Sequence, residues 1–237
     1  MKELTVEQWA AHAWAMRALI EFHAERRFGR LAQTLQKLDP SSPLIRIFEA
    51  ASKEEATHAA LCNSLAVQLG AEAVKAPAQT PSIAPSSLDE RQRLTYEIVA
   101  ACCIAETESM ATLTLLLSKM EPGRFKEAVH QIARDEVDHA QAGWGHLARE
   151  AARGTLGFLP KQLVVMLDVP AVHELFALAP CPAADSELLY GYGVVPHSMK
   201  RSVFIDVVRD LISPGMSRHG VDPTPLQEWL TRLDTGP

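Results

Sequence analysis

Three tetrads of the form Glu-x-x-His give the sequence its clearest chemical signal. On a helix, residues i and i+3 project from one face about one turn apart, so a carboxylate and an imidazole at this spacing can bind the same metal ion. The composition gives about 0.7 such tetrads by chance, so one tetrad alone is weak evidence. The three are Glu55/His58, Glu127/His130 and Glu136/His139.

A carboxylate di-metal site in a helical bundle needs two such pairs and one further Glu from each of two other helices. Glu21, in "ALIEFHAERRF", and Glu106, in "CCIAETESM", are suited to that role. Both lie in largely apolar stretches, where a carboxylate without a partner or a metal ion would be costly. Four carboxylates and two imidazoles favour iron, with manganese as the alternative, over zinc. The sequence therefore predicts two iron ions per chain, or a manganese–iron pair.

The elements that must position these residues are four long helices, separated by "DPSSP" (39–43), a Pro- and Ala-rich segment (71–86) and "EPG" (121–123). Capping boxes of Thr5 with Gln8 and of Ser87 with Glu90 are expected to open the first and third helices. The four helices are expected over about 5–38, 43–70, 87–120 and 124–154. Helices of this length are typical of a bundle.

The length of the segment 71–86 predicts how the helices are connected. A helix of about 28 residues is roughly 42 Å long, and 16 extended residues reach at most about 55 Å. The segment can therefore cross from one end of the bundle to the other, whereas the two short breaks can only form hairpins. The predicted fold is all-α: two antiparallel helical hairpins joined by one long crossover.

This topology tests whether the candidate ligands lie at one level. Residues that face each other across a hairpin are about equidistant from its turn. The midpoint in sequence between Glu21 and the Glu55/His58 pair lies near residue 39. The midpoint between Glu106 and the Glu136/His139 pair lies near residue 122. These two midpoints coincide with the two short breaks. Glu127 lies nine residues before Glu136, about 180° around the helix, so the third tetrad is expected to face solvent.

Four neighbouring residues are candidates for supporting roles. Glu54 and Asp135 each precede a ligand Glu, and each could hold the outer nitrogen of a ligand His on the opposite helix or be a simple surface carboxylate. Glu25 lies one turn after Glu21 and is a further carboxylate ligand or, by preference, the partner of a nearby Arg. His146 is expected to be a core or pocket-lining histidine rather than a third His ligand. Asp138 is expected to be solvated.

The rest of the composition describes an ordinary globular chain. A net charge of −6 over 237 residues disfavours non-specific binding to nucleic acid or an anionic membrane. The first residues, "MKELTVEQWA", lack an apolar region, so no secretory signal is expected. Because the sequence also has no run of about 18 apolar residues and its four cysteines form no CxxC pair, a reduced cytoplasmic location is expected. Residues 1–154 are expected to form the bundle and 155–237 a helical extension packed on it, with helices near 160–178, 197–212 and 224–233.

At these residues the chain resembles the ferritin-like di-iron carboxylate superfamily and, more narrowly, a group of uncharacterised bacterial ferritin-like domain proteins. The resemblance is carried by "EFHAERRFGRL", "EEATHAALC", "CIAETESMATL" and "DEVDHAQAGW" and, more loosely, by "GYGVVPHSMKRSVFIDVVRDLISPGM". It implies a ferritin-like bundle with metal ligands Glu21, Glu55, His58, Glu106, Glu136 and His139. Such proteins usually carry an Arg before the second- or fourth-helix His, where this chain has Thr57 and Asp138. No CxxC pairs are present for a rubredoxin-like electron relay.

The function expected from these residues is dioxygen activation. The first hypothesis is a di-iron oxidase or oxygenase that acts on a small organic substrate, with Trp14, Phe28 and Leu113 shaping the pocket and an external electron donor, in a monomer or homodimer. The second is a ferroxidase or peroxide-scavenging protein without an organic substrate. The third, from a different class, is a helical interaction module whose metal site is vestigial.

Overall fold

A computed structural model describes residues 4–176 and 181–235 of the chain. The long helices are α1 (Val6–Leu38), α2 (Leu44–Gln68), a third helix made of α3 (Glu90–Ile98), a π-helical segment (Val99–Ala105) and α4 (Glu106–Lys119), and α5 (Arg124–Ala152). The shorter ones are α6 (Leu163–Leu167), α7 (Pro170–Phe176), α8 (His197–Val207), α9 (Ser213–Arg218) and α10 (Thr224–Thr235). No strand occurs in the described ranges, and the all-α four-helix bundle with additional C-terminal helices is confirmed.

One of the two predicted capping boxes forms as expected, and the other is displaced along the chain. Thr5 and Gln8 form the predicted capping box on α1. The third helix is capped two residues later than expected: Asp89 and Gln92, not Ser87 and Glu90, exchange the two capping hydrogen bonds. Ser87 lies inside a turn in which the Leu88 N–H donates to the Pro85 carbonyl, so the chain is not yet aligned with the helix there.

The sequence predicts one regular helix over about 87–120, whereas the third helix contains a π-helical segment. Residues Val99–Ala105 adopt π-helical hydrogen bonding between two α-helical parts. A π turn inserts an extra residue into the helix and is frequent at functional sites. Glu106 begins the α-helical part that follows, so the π-helical segment sets its direction.

The crossover runs over the outer face of α1 and is fixed there by side chains. Its first part is tied to α2, where the Asn63 amide both accepts from and donates to the Val74 backbone. Arg26 and Arg30 of α1 then donate to the carbonyls of Ala78 and Thr80. The segment 71–86 thus leaves α2, crosses α1 and reaches the start of the third helix.

The C-terminal residues pack on the bundle through a shared apolar cluster. Tyr96, Val99 and Leu147 of the bundle contact this cluster together with Leu163 and Val208 of the extension. A domain boundary at residue 154 remains a prediction.

The helices of this extension differ in part from those predicted. The helix expected over 160–178 is interrupted: 3₁₀-helical residues Leu156–Gln162 lead into α6, and α7 starts after a break at 168–169, before Pro170. Residues 177 and 178 lie outside the described residues. The predicted 197–212 helix continues through a second π-helical segment (Val208–Ile212) into α9, and the predicted 224–233 helix is α10.

The stretch 90–119 is long and apolar enough to cross a membrane by length and composition alone. In this fold, however, 56% of its most apolar window is buried against other parts of the protein. It also carries the buried Glu106. That pattern is the one expected of a bundle's core helix, so the composition is weak evidence for a membrane span.

Candidate metal centre

The structure brings all six predicted metal-ligating residues into one buried cluster. Each long helix of the bundle contributes, and the six residues are between 0% and 8% exposed. A buried carboxylate is costly without a compensating charge, and four of them lie here. The cluster consists of Glu21 from α1, Glu55 and His58 from α2, Glu106 from α4, and Glu136 and His139 from α5.

The cluster divides into two groups that share two carboxylates. One group is Glu21, Glu55, His58 and Glu136, and the other is Glu55, Glu106, Glu136 and His139. Within each group, one donor atom from every residue lies within 4.8 Å of all the others. Glu55 and Glu136 belong to both groups, which is the arrangement that lets two carboxylates bridge two metal ions.

Both histidines are oriented by a carboxylate from the facing helix. The Nε2 atom of His58 lies 3.1 Å from Asp135, and that of His139 lies 2.9 Å from Glu54. These are the cross-helix contacts that the sequence analysis considered for Glu54 and Asp135. An outer carboxylate of this kind holds the ring and directs the other nitrogen inward. The Nδ1 atoms accordingly face the cluster, 3.4 Å from Glu55 for His58 and 3.0 Å from Glu136 for His139.

Burial and mutual repulsion set the protonation of the cluster. Burial, reinforced by the neighbouring Glu55 and Glu136 carboxylates, raises the pKa of Glu21 and of Glu106 well above the usual range. Burial also opposes the ionisation of Glu55, but the His139 and His58 rings close to its carboxylate outweigh burial and lower the pKa of Glu55 to about 2.

The histidines respond in the opposite sense. Burial works against their charged form, yet contacts with Glu55 and Asp135 raise the pKa of His58 to about 9. Contacts with Glu136 and Glu55 raise the pKa of His139 to about 11 in the same way. Protons therefore supply the positive charge that these carboxylates need when metal is absent.

The donor set fits a pair of metal ions. Both carboxylate oxygens of Glu55 and the Nδ1 atom of His58 are buried and have no properly aligned hydrogen-bond partner. Such atoms are rare in folded proteins and call for an explanation such as a bound ion. Oxygen-rich coordination with one imidazole per ion suits iron or manganese better than zinc.

Sequence reasoning missed the arginines around the cluster. Arg17 donates to Glu21 over 3.1 Å and to the Ser109 hydroxyl over 3.3 Å, and so ties α1 to α4 beside the site. The i, i+4 spacing of Arg17 and Glu21 was a signal that could have revealed this pair. The guanidinium that contacts the cluster thus comes from α1, not from the position before either ligand histidine.

The remaining candidates take structural or solvent-exposed positions. Glu25 belongs to neither metal-ligating group and forms no ion pair with the residues described here, so neither role considered for it has support in the structure. His146 is a core histidine whose Nε2 lies 3.1 Å from the Thr95 hydroxyl. As predicted, the Glu127/His130 pair faces solvent, and so does Asp138.

The residues expected to shape a pocket are all deeply buried. Trp14 donates its indole N–H to the Tyr192 carbonyl and stacks near Phe125, so it belongs to the core between the bundle and the extension. Phe28 does lie at the site, with its ring 5.1 Å from that of His139. Leu113 packs in the same apolar cluster as Trp14.

Two helical hairpins that surround shared carboxylates and two Glu-x-x-His pairs define a ferritin-like di-iron carboxylate protein. A family model described as Rubrerythrin matches residues 16–142, more than half of the chain, and this range contains all six cluster residues. The chain therefore belongs to the rubrerythrin family, whose members are di-iron proteins and typically redox-active. No curated protein and no solved structure matches the chain significantly.

Proposed function

We propose that this protein is a di-iron oxidase or oxygenase that uses dioxygen to oxidise a small organic substrate. The observation that carries the proposal is the pair of four-residue groups sharing Glu55 and Glu136. Two iron ions held there would supply the chemistry of dioxygen activation. Manganese paired with iron is the alternative metal content.

The number and charge of the donors support this chemistry. Each group offers one imidazole and three carboxylates, two of which are shared with the other group. Four carboxylates neutralise two divalent ions, and so small a set of protein donors leaves coordination positions for a small molecule. A structural metal site would instead be expected to use up its positions on protein ligands.

The surrounding residues keep the site ordered and dry. Glu54 and Asp135 hold the ligand histidines from outside, and Arg17 holds Glu21. Phe28 covers one side of His139 with an apolar ring. Exclusion of water strengthens electrostatic interactions inside a site and protects reactive species formed there.

The family match favours a second candidate, a peroxide-scavenging or ferroxidase protein without an organic substrate. Here the site residues would be the same, and the difference lies in what the metals react with. In either case the electrons come from outside the chain, because the four cysteines include no CxxC pair. We propose an external donor, a monomeric or homodimeric assembly and a cytoplasmic location.

Loading the protein with Fe(II) without oxygen and mixing it rapidly with dioxygen or with hydrogen peroxide separates the oxidase from a peroxide scavenger, and the assembly and iron content separate it from a ferroxidase that stores iron. The oxidase proposal predicts fast optical changes with dioxygen, and native mass spectra showing one or two chains with two irons each. Reaction with peroxide alone, or a cage holding many irons per chain, contradicts it. The Glu127→Ala variant, altered only in the exposed tetrad, serves as the matched control and should behave as the unmodified protein does.

A further inference from the structure

The α1 stretch His23–Arg30 carries three arginines, and two of them have hydrogen-bond partners among the described residues. Arg26 donates to the Ala78 carbonyl of the crossover. Arg30 donates to the Thr80 carbonyl and lies 2.5 Å from a Glu97 oxygen. Arg27 makes no hydrogen bond and no ion pair with any residue that the structure describes.

Arg27 is nevertheless held partly inside the protein. Its Nε atom is buried without a hydrogen-bond partner, while its two terminal nitrogens remain in reach of solvent. Burial lowers the pKa of Arg27, against the opposing effect of the Glu97 and Glu106 carboxylates. Neither carboxylate is within ion-pair distance, and Glu97 is already bound by Arg30 and by the Ser82 hydroxyl.

The charge balance leaves Arg27 without compensation once metal is bound. Two divalent ions match the four carboxylates of the cluster, including Glu106, and Arg17 already contacts Glu21. A guanidinium held in a partly dry environment without an anion is costly. Its planar set of donors is shaped to take a carboxylate through two parallel hydrogen bonds.

We infer that Arg27 binds the carboxylate of a small organic acid beside the metal centre. The inference rests on the proposed function, which it narrows to acidic substrates. Arg27 directly precedes Phe28, whose ring lies 5.1 Å from that of His139 in the second four-residue group, so an acid held by Arg27 would lie beside that group. Arg26 and Arg30 donate hydrogen bonds to the crossover, whereas the guanidinium of Arg27 has N–H donors without a partner among the described residues.

The test compares hexanoate with hexanamide, a neutral molecule of nearly the same shape. Binding is measured by calorimetry and by the visible spectrum of the Co(II)-loaded protein, which reports on ligands near the metals without any reaction with oxygen. Hexanoate should bind at least ten-fold more tightly than hexanamide. Equal binding of the two, or no hexanoate binding at millimolar concentration, overturns the inference.

Variants locate the effect on one side chain. Arg27→Met should retain two metals and lose at least ten-fold in hexanoate affinity, and Arg26→Met is the matched control that should bind as the unmodified protein does. Unchanged hexanoate binding by Arg27→Met would mean that the acid binds elsewhere, for example to the metals themselves.

Arg27→Met should also melt a few degrees higher without ligand, because an uncompensated charge is removed, whereas Arg30→Met should melt lower. A lower melting temperature for Arg27→Met contradicts the absence of a structural partner.

These outcomes are separate from those of the proposed function. If the iron-loaded protein fails to react with dioxygen while Arg27 still selects hexanoate, the oxidase proposal falls and the acid site stands. If dioxygen reacts normally but Arg27→Met and the unmodified protein bind hexanoate equally, the acid site falls and the oxidase proposal stands.

Discussion

Replacing Gly143 by Ala should displace the π-helical segment that precedes Glu106. Gly143 lies in α5 one turn after His139, and its Cα faces the π-helical backbone directly. A Cβ at this position would lie 2.4 Å from the Cys102 Cβ and 3.0 Å from both the Cys102 carbonyl carbon and the Cys103 nitrogen. Carbon atoms normally pack about 3.5–4.0 Å apart. Two of the three contacts are backbone atoms, so no side chain can rotate away to relieve them.

The size of the effect follows from two opposing contributions. Ala stabilises the interior of a helix by about 1 kcal/mol relative to Gly. Overpacking of a core typically costs about 1–3 kcal/mol, and contact with backbone atoms places this case at or above the upper end. We expect a net loss of about 2 kcal/mol or more in the free energy of unfolding, which for a chain of this size lowers the melting temperature by at least about 4–8 °C.

Gly145→Ala provides a matched control in the same helix. A Cβ at Gly145 meets nothing within 4 Å, so the substitution should stabilise the protein by about 0.5–1 kcal/mol. Denaturant unfolding of the metal-free proteins measures both changes, and metal analysis measures their effect on the site. Gly143→Ala should bind less metal because Glu106 follows the displaced segment, whereas Gly145→Ala should bind two ions. If Gly143→Ala is as stable as Gly145→Ala and binds metal equally well, the packing argument is wrong.

Further predictions address the site and its surroundings. Glu136→Ala should abolish metal binding with little change in helical circular dichroism, because a shared carboxylate is lost. The control Glu127→Ala should keep both ions. Two metals per chain in Glu136→Ala would refute the ligand set. Metal uptake should release protons, and the affinity for metal should rise with pH. The reason is that the pKa of His58 is raised to about 9 and that of His139 to about 11, and both protons must leave before the rings bind metal. An affinity that does not change between pH 6 and pH 8 would contradict this. Burial lowers the pKa of His146 to about 4, below its value of about 6.5 in the unfolded chain. The unfolded chain therefore takes up this proton first as the pH falls, and the free energy of unfolding should drop by about 2–4 kcal/mol between about pH 6.5 and pH 4. His146→Gln should lessen that fall in an acid-unfolding series, and an identical acid profile would show that another group is responsible. Glu54→Gln should weaken metal binding by about 10–100-fold through loss of the carboxylate that orients His139, as measured by competition with a chelator; an unchanged affinity would show that the ring is held by other contacts.

Much of the fold could be predicted because helix length and chain breaks are local properties. The breaks near residues 39 and 122 determine which residues face each other across each hairpin, and the sequence alone therefore places Glu21 with Glu55 and Glu106 with Glu136. The same reasoning assigned Glu127 to the solvent side, since nine residues correspond to a half-turn offset.

The features that escaped prediction depend on contacts between distant parts of the chain. The π-helical segment arises where Gly143 lets α5 approach Cys102 closely, and no periodicity in "VAACCIA" shows this. The hydrogen bonds of Arg26 and Arg30 form because the crossover lies over α1. The length of the crossover permits this position but does not require it. The two possible capping boxes near residue 88 both match the pattern, and the turn before Leu88 decides between them.

We propose that this bundle would hold two metal ions, with Glu55 and Glu136 as ligands available to both. Mössbauer spectroscopy of protein loaded with ⁵⁷Fe and then oxidised tests it most directly. Two irons per chain are expected, with the spectrum of a magnetically coupled diferric pair that has no net spin at low temperature. A single iron per chain, or the magnetically split spectrum of isolated high-spin ferric ions, would contradict it.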